Sequence, residues 1–212
     1  MSSLIFTTNE TQILVATDTL AVNVDGDPHM FVSKATHIPH LKTIIAGFGA
    51  EGFTNEWALI VSTKMIVNGI LNLDYHTPAA LRNLWVTYSR ELPEELTATV
   101  YQFGISEVTN RVAAFVYRSE NGFESEPIEY GTVVLPECTV PRGNIIQAIP
   151  EMMNEQRDNQ LQLPKGSRLA IGGEIYALYL TGEGCNSFKI AQFDDYDAQQ
   201  RAVFNKFEME QR

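Results

Sequence analysis

The chain has 212 residues, of which 44% are hydrophobic and 19% charged, a globular composition that excludes a disordered or fibrous protein and suits one domain over residues 1–212. Acidic residues outnumber basic ones 26 to 15, giving a net charge of −11, and no Lys/Arg run exceeds a pair, which makes nucleic acid and anionic membrane poor partners. The N-terminus carries no basic region leading into an apolar run, and no apolar stretch approaches the roughly 18 residues of a membrane span, so the chain reads as cytoplasmic.

In chain order, residues 3–8 (SLIFTT) and 12–17 (QILVAT) form two strand-like runs around Asn9-Glu10-Thr11, the spacing of a hairpin. A turn at Asp25-Gly26-Asp27-Pro28 precedes two further strands at Met30-Phe31-Val32 and Lys42-Thr43-Ile44-Ile45-Ala46. Apolar residues Trp57, Ile60, Val61, Met65 and Ile70 then predict one helix between Thr54 and Leu73. A second starts from Thr77 as N-cap with Pro78 in the first helical position, along the stripe Leu81, Leu84, Trp85 and Tyr88, and stops before Pro93.

Strands Thr97–Phe103 and Arg111–Arg118 follow, and Ile128–Leu135 extends them into a meander. A helix from about Asn144 to Gln160 is reset at Pro150 and ends before the turn Pro164-Lys165-Gly166. Strands Arg168–Leu180 and Phe188–Phe193 turn around Gly182-Glu183-Gly184, and a short amphipathic helix with Val203 and Phe207 on one face closes the chain. Hairpins in place of βαβ alternation point to an α+β domain with two antiparallel sheets between helical layers.

The informative spacing joins Ser2, Asp18 at the end of the second strand, and Lys34 after the third. Removal of Met1 would leave Ser2 with both a hydroxyl and a free α-amine. An amine with an ordinary pKa of about 7.7–8.0 is substantially neutral near pH 7 and can act as the base for its own hydroxyl. A lysine ammonium nearby lowers the amine's pKa and stabilises a developing alkoxide, and an aspartate orients the lysine.

These residues, with ILVATD ending the second strand and IIAGFGAEGF leading into the first helix, resemble the proteasome β-subunit family of N-terminal nucleophile hydrolases, particularly the bacterial HslV-type peptidases. Counted from Ser2, both Asp18 and Lys34 fall at that family's spacing. The resemblance implies a four-layer αββα sandwich and a threonine-peptidase-like hydrolase with Ser2 as nucleophile. It also implies an oxyanion donor at the backbone N–H of Gly47, in Ala46-Gly47. Peptides or unfolded proteins are the implied substrates, a homo-oligomeric ring the implied assembly, and an ATP-dependent unfoldase the implied partner.

The chain departs from the family pattern in three places. Val134-Leu135-Pro136-Glu137 stands where a Gly-Ser-Gly turn is usual, Arg168 and Ile171 stand where an Asp and a Ser precede Gly172-Gly173, and the nucleophile is Ser in place of Thr. A catalytically silent structural or binding subunit of the same fold therefore stays open beside the peptidase, and a hydrolase of small amides stands third. No cofactor is expected: AGFGAEG lacks the Gly-Lys-Ser/Thr ending of a phosphate loop. No metal is expected either, because His37 and His40 lie in an extended stretch without helical i, i+4 geometry. Cys138 and Cys185 lack CxxC spacing and read as ordinary thiols. Trp57 and Trp85 read as packing residues on their helices.

Overall fold

Strands β1 (Leu4–Thr8) and β2 (Gln12–Asp18) form the expected hairpin. Asn9 closes its turn by accepting from the Thr11 and Gln12 N–H groups at 2.9 and 3.1 Å, the local bonding that makes Asn a turn residue. The computed structural model describes residues 3–23, 25–50, 52–91, 96–164 and 167–210. Ser2, the stop at Pro93 and the Lys165-Gly166 turn lie outside the described residues.

The remaining elements are β3 (Leu20–Val22), β4 (Pro28–Phe31), β5 (Ala35–Ile38), β6 (Thr43–Gly49), α1 (Phe53–Thr63), α2 (Ile70–Tyr88), β7 (Ala98–Ile105), β8 (Val112–Arg118), β9 (Glu126–Pro127), β10 (Gly131–Leu135), α3 (Ile145–Leu161), β11 (Glu174–Thr181), β12 (Gly184–Gln192) and α4 (Tyr196–Glu210). One antiparallel sheet runs β10-β1-β2-β11-β12 and a second runs β5-β6-β7-β8-β9, with β3-β4 as a separate hairpin.

Period-two alternation along the strands sorts the side chains into three cores. Leu4, Phe6, Ile13 and Val15 of the first sheet meet Ile44, Ala46, Tyr101, Phe103 and Val116 of the second between the sheets. The intervening residues face outward. Ile5, Leu14 and Ala16 pack on Ile149, Met152 and Met153 of α3, and Ile45, Val100 and Tyr117 pack on Phe53, Trp57, Val61, Leu73 and Leu81 of α1 and α2. The result is a four-layer αββα sandwich. Trp57 is fully buried and Trp85 stands edge-on to Phe53 with ring centroids 5.2 Å apart, the packing roles expected of them. Among the described residues no helix is long and apolar enough to cross a membrane.

Several expectations are corrected. The first helix ends at Thr63, and Ile70 begins α2, so Thr77 and Pro78 lie inside one helix and start none. Thr77 is buried and donates to the Leu73 carbonyl at 2.8 Å, while Gln102 Nε2 donates to its hydroxyl at 3.1 Å. The first turn of α2 is instead capped by Glu107, whose carboxylate accepts from the N–H groups of Leu71 and Asn72 at 3.1 and 2.8 Å. Burial pushes the Glu107 carboxyl up, but bonds from its own N–H and from those of Asn72 and Leu71 outweigh it, and the net effect is a pKa below 4.5. A depressed carboxyl contributes stability above its unfolded pKa and loses it as pH falls through the folded value. Glu107→Ala is expected to cost about 1 kcal/mol at pH 7. That deficit, read by denaturant titration, should vanish as pH falls well below 4.5.

The run Ile128–Leu135 does not extend the meander. Its strand, β10, crosses to the first sheet and pairs with β1, Leu4 opposite Leu135, and the meander ends instead in the short β9. Helix α3 continues through Pro150 without a reset, capped by Asn144 Oδ1 accepting from Ile146 N at 3.0 Å. In α4 the apolar face is not buried: Phe204 and Phe207 are exposed, and the residue turned inward is Gln199. Strands β3 and β5 are three and four residues long, too short for a sequence pattern to mark.

Candidate active site

Asp18 ends β2 opposite Ile175 of β11, in the interior of the first sheet, and is fully buried. A carboxylate there needs several donors to offset lost hydration. Asp18 Oδ1 accepts from Ser3 N at 2.9 Å, and Oδ2 accepts from Lys34 Nζ at 2.9 Å and Gly172 N at 3.0 Å. The start of β1, the segment after β4 and the entry to β11 thus converge on one side chain.

Lys34 reaches Asp18 from the segment between β4 and β5, with a side chain about nine-tenths buried. Its ammonium also donates to the Leu20 carbonyl at 2.6 Å; among the described residues its third hydrogen has no partner. Burial pulls the Lys34 pKa below its ordinary value, against the pull of Asp18. Lys34 and Gly47 line the same cavity, of about 240 Å³, together with Leu20, Ala21, Val22, Met30, Val32 and Phe48. The arrangement offers a buried cation beside an apolar pocket.

Gly47 lies on β6 just past Ala46, the last residue of that strand paired with β5, so on the β5 side its backbone is free of a neighbouring strand. Glycine is required there by space. A Cβ would fall inside contact distance of Thr54 Oγ1 on α1 and 2.5 Å from the Thr99 carbonyl oxygen on β7. At Gly173 the requirement is conformational as well: its φ is +78°, and a Cβ would press on Thr19 Oγ1 and, at 3.0 Å, on the Phe31 ring.

The structure therefore brings together Asp18, Lys34 and Gly47. Arg168 and Ile171 take no part: Arg168 Nε donates to the Leu163 carbonyl at 2.6 Å, and Ile171 is buried against α3. Sequence reasoning missed the residues that tie the site to its helices. Ser3 is fully buried and its hydroxyl donates to Gln156 Oε1, while Gln156 Nε2 donates to the Pro136 carbonyl. Gln199 accepts from Gly173 N at 2.8 Å and donates to Asp195, which pairs with Arg157 of α3. A signal existed for one of them. Gln156 continues the buried stripe Ile149, Met152, Met153 at helical spacing, so a polar residue there faces the core.

No family model and no curated protein sequence matches the chain. Among solved structures it is similar to Anbu (ancestral beta-subunit) from Yersinia bercovieri, with a TM-score of 0.59 over 97% of this chain and 93% of that one. The chain shares the proteasome-like fold of that protein. Sequence identity to Anbu is 10%, a level at which likeness carries the fold alone. The resemblance to the proteasome β-subunit family, and to its HslV-type peptidases in particular, is corrected accordingly: no family model matches the chain, and the solved structure described above is an Anbu at low identity.

Proposed function

We propose that the chain is an N-terminal serine peptidase, with Ser2 as nucleophile once Met1 has been removed. The observation that supports this reading is the Ser3 N–H held on Asp18 Oδ1 while Lys34 occupies Oδ2. The peptide bond to residue 2 is made by that same Ser3 nitrogen, so the start of the chain and the lysine–aspartate pair share one anchor. In the proposed reaction the α-amine takes the Ser2 hydroxyl proton as the oxygen attacks a substrate amide carbon. Lys34 stabilises the developing negative charge and the Gly47 N–H receives the carbonyl oxygen. The C–N bond then breaks, the amine returns its proton to the leaving nitrogen, and water hydrolyses the Ser2 ester. The cavity's Ala21, Val22, Met30 and Val32 would receive an apolar side chain of the substrate.

The test is the intact mass of native, untagged protein before and after an epoxyketone that reacts with N-terminal nucleophiles. The expected result is loss of Met1 and one adduct on Ser2, with Lys34→Met losing most of the labelling and fluorogenic peptides with apolar residues before the scissile bond cleaved best. Retained Met1 without an adduct would overturn the peptidase reading. A silent binding subunit would then be the better account, favoured by Ile171 being buried in an apolar cluster where the resemblance calls for a polar group.

A further inference from the structure

Gln156 is fully buried in α3 and contacts neither the cavity nor Lys34. Its two ends are not equivalent. The Pro136 carbonyl can only accept, so the amide nitrogen turns to Pro136, the amide oxygen turns to Ser3, and the Ser3 hydroxyl is the donor. Ser3 is thereby anchored on two different elements: its N–H on Asp18 of β2 and its hydroxyl on Gln156 of α3. The adjoining Leu4 is paired on both sides in the sheet, and the Ser3 hydroxyl adds a tie to α3.

We propose that Gln156 is a positioning residue for the N-terminal nucleophile, holding Ser3, and through its nitrogen the peptide bond to residue 2, in one orientation relative to the Lys34–Asp18 pair. This rests on the peptidase reading above. Because Gln156 lines no part of the cavity, its effect falls on the chemical step and not on substrate binding. Gln156→Leu is expected to lower kcat by about 10- to 100-fold, the scale of a small misplacement of a reacting group, with KM nearly unchanged.

Gln156→Glu separates positioning from packing, because glutamate matches glutamine in shape. Protonated, it donates to Pro136 and accepts from Ser3 as glutamine does; ionised, it has nothing to donate. Burial beside a carbonyl raises a carboxyl pKa, so falling pH favours the protonated form that bonds as glutamine does. The ratio of the variant's kcat to the wild-type value should rise as pH falls, and the same ratio for Gln156→Leu should stay flat. A flat ratio for Gln156→Glu overturns the proposal whatever Gln156→Leu does. Should neither variant fold, Ser3→Ala decides: a kcat loss of about tenfold at unchanged KM supports the proposal, and wild-type kcat overturns it. Wild-type protein that neither turns over peptides nor labels at Ser2 overturns the peptidase reading and this inference with it. Normal wild-type turnover with a flat ratio removes the inference alone.

Discussion

Asp18→Asn is expected to lose about 3–5 kcal/mol of stability, the cost of breaking a buried charge pair from one side, and with it all N-terminal reactivity. The carboxylate accepts three hydrogen bonds on two oxygens, from Ser3 N, Gly172 N and Lys34 Nζ. Asparagine keeps one acceptor oxygen and puts an NH2 group where the other donors point. Whichever way the amide turns, a buried N–H or the Lys34 ammonium loses its partner. Thermal melting and epoxyketone labelling of the same preparation check both halves. Adding Lys34→Met to Asp18→Asn should recover part of the stability, since a buried charge left alone is worse than none, without recovering labelling. If Asp18→Asn melts like the wild type, the carboxylate is not the anchor of this end of the sheet.

The second large effect is expected of Gly47→Ala. The added methyl would lie 2.5 Å from the Thr99 carbonyl oxygen, which belongs to the neighbouring strand and cannot rotate aside as a side chain can. Strand β6 must then shift away from β7, at about 1–3 kcal/mol for a strained insertion. The shift falls on the cavity that Gly47 lines with Met30 and Val32, so on the proposed mechanism labelling should drop by about 100-fold or more, the scale of a lost oxyanion donor. Trimming Thr54 to glycine in the same chain removes the contact on α1 but not that on β7. The double variant should therefore stay inactive. Recovery of labelling in Gly47→Ala/Thr54→Gly would show that the helix, not the strand, demands glycine.

The parts of this molecule legible in the sequence are those fixed by near neighbours. The β-rich runs SLIFTT and QILVAT with Asn9 between them specify the first hairpin, and the spacing of Asp18 and Lys34 is met as a contact because Asp18 ends β2 and Lys34 lies in the short segment between β4 and β5. What stayed hidden depends on distant partners. Thr77-Pro78 has the look of a helix start, yet α2 begins at Ile70 because Glu107 caps it from beyond the next strand. Strand β10 lies next in the chain to the meander but finds its partner in β1. Gln199 has the composition of a solvated helix face, and only its burial exposes it as a link between α4 and the site.

The pairing of the first sheet also sets an order of events during synthesis. Hairpin β1-β2 leaves the ribosome before β10 and β11, so β1 waits for β10 and β2 for β11 before either has its second neighbour. Asp18 likewise lacks its Gly172 donor until the 154 residues that separate the two have been made. Pairings between such distant segments slow folding and leave strand edges open in the meantime. A hairpin made before its partners is thus completed only after them, and the Asp18 cluster closes only once the entry to β11 has been made.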